Sequence, residues 1–302
     1  MKPRVSIALA CVALALVAAP RLLSATATAT DTAPTATSPS ADSPSAASPS
    51  TPPAAHDGIW IWTRTDAEVY AARGPEAAAA IPGVLVLSLE LDASAELRGR
   101  RGLSPAIRGA KEVAAVIRIE DSVARRLDDP GALAAELDAR LGSMLAEIDA
   151  SGVALAEVQL DFDVPVRRLE AWAEVAGTLA RGSLAGRPLW VTSIPAHLAD
   201  DRYGALFSGQ VAGHLYQTFD TGLACNPREI AKAREQLVRA GLPYRVGVAT
   251  YERARDGRRT TGHRCWAQAS PELRHAGLHA GSWVFPAGRP VDDAFALFED
   301  HP

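Results

Sequence analysis

The sequence predicts an α/β fold of the (β/α)8 TIM-barrel type, and three observations carry that expectation. From His56 onward, short β-rich runs alternate with helical or loop stretches, as parallel βα units require. The runs number eight over about 245 residues, the size and strand count of such a barrel. Several of them alternate apolar and polar side chains with period two, so that one face packs under helices while the other lines an interior.

The eight runs are GIWIWT from Gly58, GVLVLSLEL from Gly83, EVAAVIRIE from Glu112, EVQLDFD from Glu157, PLWVTSI from Pro188, GHLYQTFD from Gly213, YRVGVATY from Tyr244 and GSWVFP from Gly281. The clearest helix between them follows DDPGALAAELDARLGSMLAEID, with Asp and Pro at its start and Leu133, Leu137, Leu141, Leu145 and Ile148 on one face. VRRLEAWAEVAGTLARG reads the same way, as does NPREIAKAREQLVRAG, which has Pro227 near its start and Gly241 at its end. Helical signal is weak between the second and third runs and between the fifth and sixth, so the barrel is expected to be irregular there.

Sorting each run into two rows locates the polar interior. In the fourth, Val158, Leu160 and Phe162 form the apolar outer row, leaving Gln159, Asp161 and Asp163 to face inward. In the second, Leu85, Leu87, Leu89 and Leu91 face out, while Ser88 and Glu90 face in. In the third, Val113, Ala115, Ile117 and Ile119 face out and Arg118 and Glu120 share the inner row. Polar groups thus accumulate toward the C-terminal strand ends, where barrel enzymes build their sites. Trp60 and Trp62, Thr192 or Ser193, Gln217 and Asp220, Tyr251 and Trp283 add to this rim, and Tyr216 fits either face of its run. Aromatic faces beside carboxylates suit sugar rings, although plugging the core is the commoner role for any one tryptophan.

The chain has 302 residues, 48% hydrophobic and 22% charged, with a formal net charge of -4. No run of Lys and Arg with interleaved aromatics is present, so nucleic acid is not an expected partner. Residues 1–24 open with Lys2 and Arg4 ahead of a short apolar stretch, the layout of an export signal, so a membrane enters only if that segment stays uncleaved as an anchor. Residues 25–56 are almost wholly Ala, Thr, Ser and Pro, which lack the apolar bulk to offset chain ordering and are read as a disordered linker. The barrel domain is assigned to residues 57–302, in a protein exported to the periplasm, the cell envelope or the exterior. Beyond the signal, Cys225 and Cys265 are left as an isolated pair, read either as a disulfide or as two separate thiols. They follow the sixth and seventh runs, on adjacent loops of one rim, where a disulfide would brace the cleft.

Asp161 and Asp163 carry the candidate chemistry. Their backbones stand about 6.6 Å apart on one side of a strand. Like charges in a partly dry mouth raise the pKa of one carboxyl, while Arg118 on the neighbouring strand holds the other ionised. One protonated and one charged carboxyl is the apparatus of acid-assisted glycosidic cleavage, and it needs no cofactor. Glu90, Glu120, Gln159, Gln217 and Asp220, with Trp60, Trp62, Tyr251 and Trp283, are then candidate contacts to a carbohydrate or cell-envelope glycan.

Two resemblances follow from these blocks. WIWTR, VQLDFDVPVRRLEAWA, LWVTSIPAHL and VGVATY together look like bacterial domain-of-unknown-function family 3142 across residues 58 to 286. More distantly, the fourth run is similar to that of family 18 glycoside hydrolases, the chitinase group, with Gln159, Asp161 and Asp163 in the places of three alternate acids. That resemblance implies Asp163 as acid donor and Asp161 as the group that orients a substrate carbonyl. It also matches QTFDTG to the chitinase pattern at Asp220, and Trp283 to a floor tryptophan. Asp163 is one methylene shorter than the Glu expected there and Phe219 replaces a Tyr, so chitinase activity itself is not implied.

Two further classes compete with a hydrolase. One is a non-catalytic saccharide- or envelope-binding barrel. The other is a metal-dependent hydrolase drawing on Asp161, Asp163, Asp220 and histidines such as His214 or His263. The HAGLH segment sets His275 and His279 at i and i+4 but lacks the Glu of a zincin, and no Cys/His cluster suggests zinc, so no metal is expected.

Overall fold

In a computed structural model of the chain, the described residues are 57–61, 68, 69, 72, 83–91, 97–100, 113–150, 152, 154–250, 254, 255, 258, 259, 263–274 and 277–286. Side chains are not described for 83–91, 97–100, 254, 255, 258, 259, 263 and 264. The expected signal and linker, Trp62, Tyr251 and the side chains of Glu90 and His263 lie outside this set.

Eight parallel strands close on themselves. They are β1 (Gly58–Ile61), β2 (Gly83–Leu91), β4 (Val113–Ile119), β5 (Leu155–Asp161), β6 (Leu189–Ser193), β7 (Gly213–Gln217), β8 (Tyr244–Ala249) and β11 (His279–Phe285), with β11 returning to pair with β1. Each coincides with one of the eight runs read from the sequence. Where helical signal was weak after β2, an antiparallel strand β3 (Leu97–Arg100) folds back on β2. Beyond β8, β9 (Ala254–Arg255) and β10 (Arg258–Arg259) pair antiparallel, and the sequence between them reads Asp-Gly, a strong hairpin signal.

The helices that cover the barrel are those with a 3.6-residue apolar stripe. After a 3-10 helix at Asp121–Asp128 comes α1 (Pro130–Ala150), which buries Leu133, Leu137, Leu141, Leu145 and Ile148. The Asp129 carboxylate accepts from the Ala132 N–H at its start. A second 3-10 turn, Val166–Arg168, leads into α2 (Leu169–Arg181), where the Trp172 ring meets the outer face of β5 edge-on through Phe162. The connection from β6 to β7 holds two short helices, α3 (Pro195–Leu198) and α4 (Tyr203–Phe207), too brief for a stripe to show in sequence. Next come α5 (Pro227–Ala240) and α6 (His263–Leu273). Asn226 caps α5 by accepting from Glu229 N–H, and Gly241 ends it at φ 64°, the left-handed position glycine favours.

Strand alternation splits the apolar residues into two cores. The outer one joins Ile59, Ile117, Leu160, Val191, Val246 and Val284 to the helices. The inner one holds Trp60, Ala114, Val116, Leu215, Phe219, Ala249, Trp283 and Phe285 within the barrel. Glycines make room for the indoles: a Cβ on Gly58 would lie 2.7 Å from the Trp283 ring, and one on Gly213 would lie 2.4 Å from the Trp190 ring. Tyr216, undecided by sequence, belongs to the outer core, and of the pair Thr192 and Ser193 it is Ser193 that turns outward, to His214.

Candidate functional site

The inner row of β5, Glu157, Gln159 and Asp161, continues past the strand end to Asp163, running from the floor of the barrel to its mouth and meeting different partners at each level. Lowest, Arg245 on β8 clasps both Glu157 oxygens, Nη2 reaching Oε2 at 2.7 Å, while its guanidinium lies 3.8 Å from the centre of the Trp190 ring and 5.0 Å from that of Trp283. One level up, the Gln159 amide donates to Glu157 at 2.7 Å and its carbonyl accepts from the Trp60 indole N–H at 2.9 Å. A buried ion pair held between indoles thus fills the lower barrel.

At the mouth, Arg118 and Asp161 are direct partners across the β4–β5 ladder. Arg118 donates through Nη1 to Asp161 Oδ2 at 3.0 Å and through Nη2 to Asp163 Oδ2 at 3.1 Å, so one guanidinium bridges the two carboxylates. Burial alone would lower the Arg118 pKa, but the two acids outweigh it and hold the guanidinium charged. Asp161 is 2% exposed, and burial pushes its carboxyl up to about 6, with Arg118 pulling it down and Asp163 adding to the rise. Asp163 stands further out, its side chain 34% exposed. Both Oδ1 atoms lack a hydrogen-bond partner among the described residues. The arrangement sets one buried carboxyl, its pKa raised by burial, beside a second and more exposed carboxyl at the same cation.

The other expected site residues divide. Glu120 is half-buried just beyond β4, at the start of the 3-10 helix, and Glu90 lies on β2 at the matching level. Gln217 faces inward at the end of β7, its amide donating to the Phe219 carbonyl at 3.2 Å. Asp220 follows in the left-handed region at φ 55°, a conformation that Asp tolerates better than most residues. Trp60 and Trp283 do not form an exposed aromatic rim. They are 1% and 0% exposed, because Gln159 engages one indole and Arg245 with Gly58 surrounds the other. Cys225 and Cys265 form a disulfide with Cα atoms 6.0 Å apart, tying the segment after β7 to the start of α6.

His214 does not join the acidic mouth. It lies on the helix side of β7, with Nδ1 2.7 Å from Ser193 Oγ, and burial pushes its pKa down to about 3. Among the described residues, no group of three or more His, Cys, Asp or Glu side chains is arranged to hold a metal ion. The sequence reading missed Glu157 and Arg245 as partners, and it missed His197. The outer rows of their strands marked Glu157 and Arg245 as inward, but charge burial at the barrel floor has no local signature. His197 is buried on α3 and reaches the Val164 carbonyl, while burial depresses its pKa against the opposite pull of Val164 and Asp163.

These features define a (β/α)8 barrel of the TIM type. A chitinase from Chromobacterium violaceum superposes with a TM-score of 0.57 at 13% identity, over 82% of this chain and 98% of that one. The spore cortex-lytic enzyme SleL of Bacillus cereus gives 0.51 at 14%, over 83% and 75%. A GH18 chitinase from Pseudoalteromonas aurantia gives 0.53 at 10%, over 79% and 98%. At these identities the likeness is one of fold. No family model matches the chain, that of domain-of-unknown-function family 3142 included, and no curated protein matches it in sequence.

Proposed function

We propose that the barrel is an exported carbohydrate-active hydrolase that cleaves a glycosidic bond with acid assistance, Asp163 donating the proton and Asp161 acting as its electrostatic partner. The observation that carries this reading is the bridge of Arg118 to both carboxylates at the C-terminal strand ends. It gathers two acids and one cation where barrel enzymes work, with one acid buried and one open to the mouth. The fold neighbours support it, being chitinases and a cortex-lytic enzyme. Glu90, Glu120, Gln217, Asp220 and Tyr251 are the groups assigned to substrate hydroxyls. Export rests on the N-terminal layout and agrees with a glycan of the cell envelope as substrate.

The test is a hydrolysis screen over envelope and polysaccharide glycans with wild type and Asp163→Asn. Loss of a general acid lowers turnover by about 10²- to 10⁴-fold, and equal rates in the two proteins would exclude the assignment. A second reading, a non-catalytic saccharide-binding barrel, is favoured by the ion pair that already occupies one oxygen of Asp163. It predicts glycan binding that survives Asp163→Asn with no turnover in either protein.

A further inference from the structure

Asp163 stands where the sheet has already ended. The last β5–β6 pairing joins Leu160 to Val191, and β5 itself stops at Asp161. No strand ladder therefore fixes the backbone of Asp163. It is the middle residue of a three-residue turn, closed by Val164 N–H donating to the Phe162 carbonyl at 2.9 Å. Both flanks of that turn are tied to one neighbouring segment. Phe162 N–H donates to Thr192 Oγ1 at 3.0 Å, and His197 Nε2 lies 2.7 Å from the Val164 carbonyl.

The imidazole is oriented for this contact. Its Nδ1 faces the Ile194 N–H at 3.4 Å and accepts from it, which leaves the proton on Nε2 to be donated to Val164. The ring lies 6.4 Å from that of Tyr203 at 13° between planes. At 1% exposure it has no path to a substrate, so it is neither acid nor base in the reaction. Its Nε2 contact links the short α3 to the acid-bearing turn, while its Nδ1 contact anchors the ring to the start of that helix.

We propose that His197, together with Thr192, is a positioning residue that sets the direction of the Asp163 carboxyl. The proposal rests on the reading of Asp163 as the acid. In it, the TSIPAH segment from the end of β6 into α3 serves as a clamp: Thr192 holds the near side of the turn and His197 the far side, so that Asp163 projects toward Arg118 and the mouth. Positional errors of about 1 Å at a reacting group cost up to about a hundredfold in rate, which makes a contact one residue away from the acid kinetically visible.

The full chain is compared as wild type, His197→Gln and His197→Leu, by ¹³C carboxyl NMR of the aspartates and by hydrolysis kinetics on a substrate from the glycan screen. Gln presents an amide N–H near the position of Nε2, whereas Leu fills the volume with no donor. The expected result is that Leu shifts the Asp163 carboxyl resonance and lowers kcat about tenfold or more with KM little changed, and that Gln restores both. An unchanged Asp163 resonance in the Leu variant, or a Gln variant as impaired as Leu, overturns the proposal. Should Leu fail to fold, His197→Asn, too short to reach Val164, is judged by the same criteria. If wild type cleaves no glycan, the hydrolase reading falls, while the carboxyl spectra still decide whether His197 positions Asp163.

Discussion

Asp161 is the place where the site's chemistry opposes the stability of the fold, and Asp161→Asn measures the conflict. Its carboxyl is pushed up to about 6 in the folded protein, from an ordinary aspartate value of 3.8. Between those values the folded chain holds a proton that the unfolded chain has released, so stability is full at the acid end and falls as pH rises through that window. Complete ionisation costs about 3 kcal/mol, and because Asp161 is 2% exposed, solvent screening does little to reduce it. Asn is a neutral near-isostere whose contribution does not vary with pH. The stability of Asp161→Asn relative to wild type should therefore increase by roughly 2–3 kcal/mol from pH 4 to pH 7. Urea unfolding of both proteins across that range gives the difference directly. A difference equal at the two ends would refute the assignment of the raised pKa to this buried carboxyl.

Arg245→Met removes the cation that clasps Glu157 in the barrel floor and leaves the Gln159 amide as a neutral donor to it, which should cost about 3–5 kcal/mol. The double variant Glu157→Leu, Arg245→Met should recover much of it, as read by denaturant midpoints. The disulfide Cys225–Cys265 spans a sequence separation of 40, so Cys225→Ser with Cys265→Ser should lower stability by about 2–4 kcal/mol through the freed unfolded chain. A non-reducing mass measurement of the purified protein should find no free thiol at these positions.

Local patterns made much of the barrel legible. Every barrel strand fell on a short β-rich run, several of them with period-two alternation, and α1, α2 and α5 announced themselves by stripes that need no distant partner to be seen. The inward row of Gln159, Asp161 and Asp163 followed from the outward row of Val158, Leu160 and Phe162, because successive side chains on a strand point to opposite faces. Arg118 was legible as their partner because parallel neighbours in a barrel come in chain order. Where no stripe existed, as after β2 and after β6, sequence marked only an irregularity.

What the chain order could not decide was which inward side chains remain at the mouth and which fill the floor. Trp60 and Trp283 fit both roles by parity, and only the closed barrel assigns them, through Gln159, Arg245 and the space above Gly58. The Glu157–Arg245 pair joins residues 88 apart, and His197 reaches back 33 residues to Val164. Alternation is a property of one strand, and it determined on its own that two carboxylates share a side. The burial that raises Asp161 and the contacts of Thr192 and His197 to the Asp163 turn come from several strands closing at one level, and only the tertiary structure shows them.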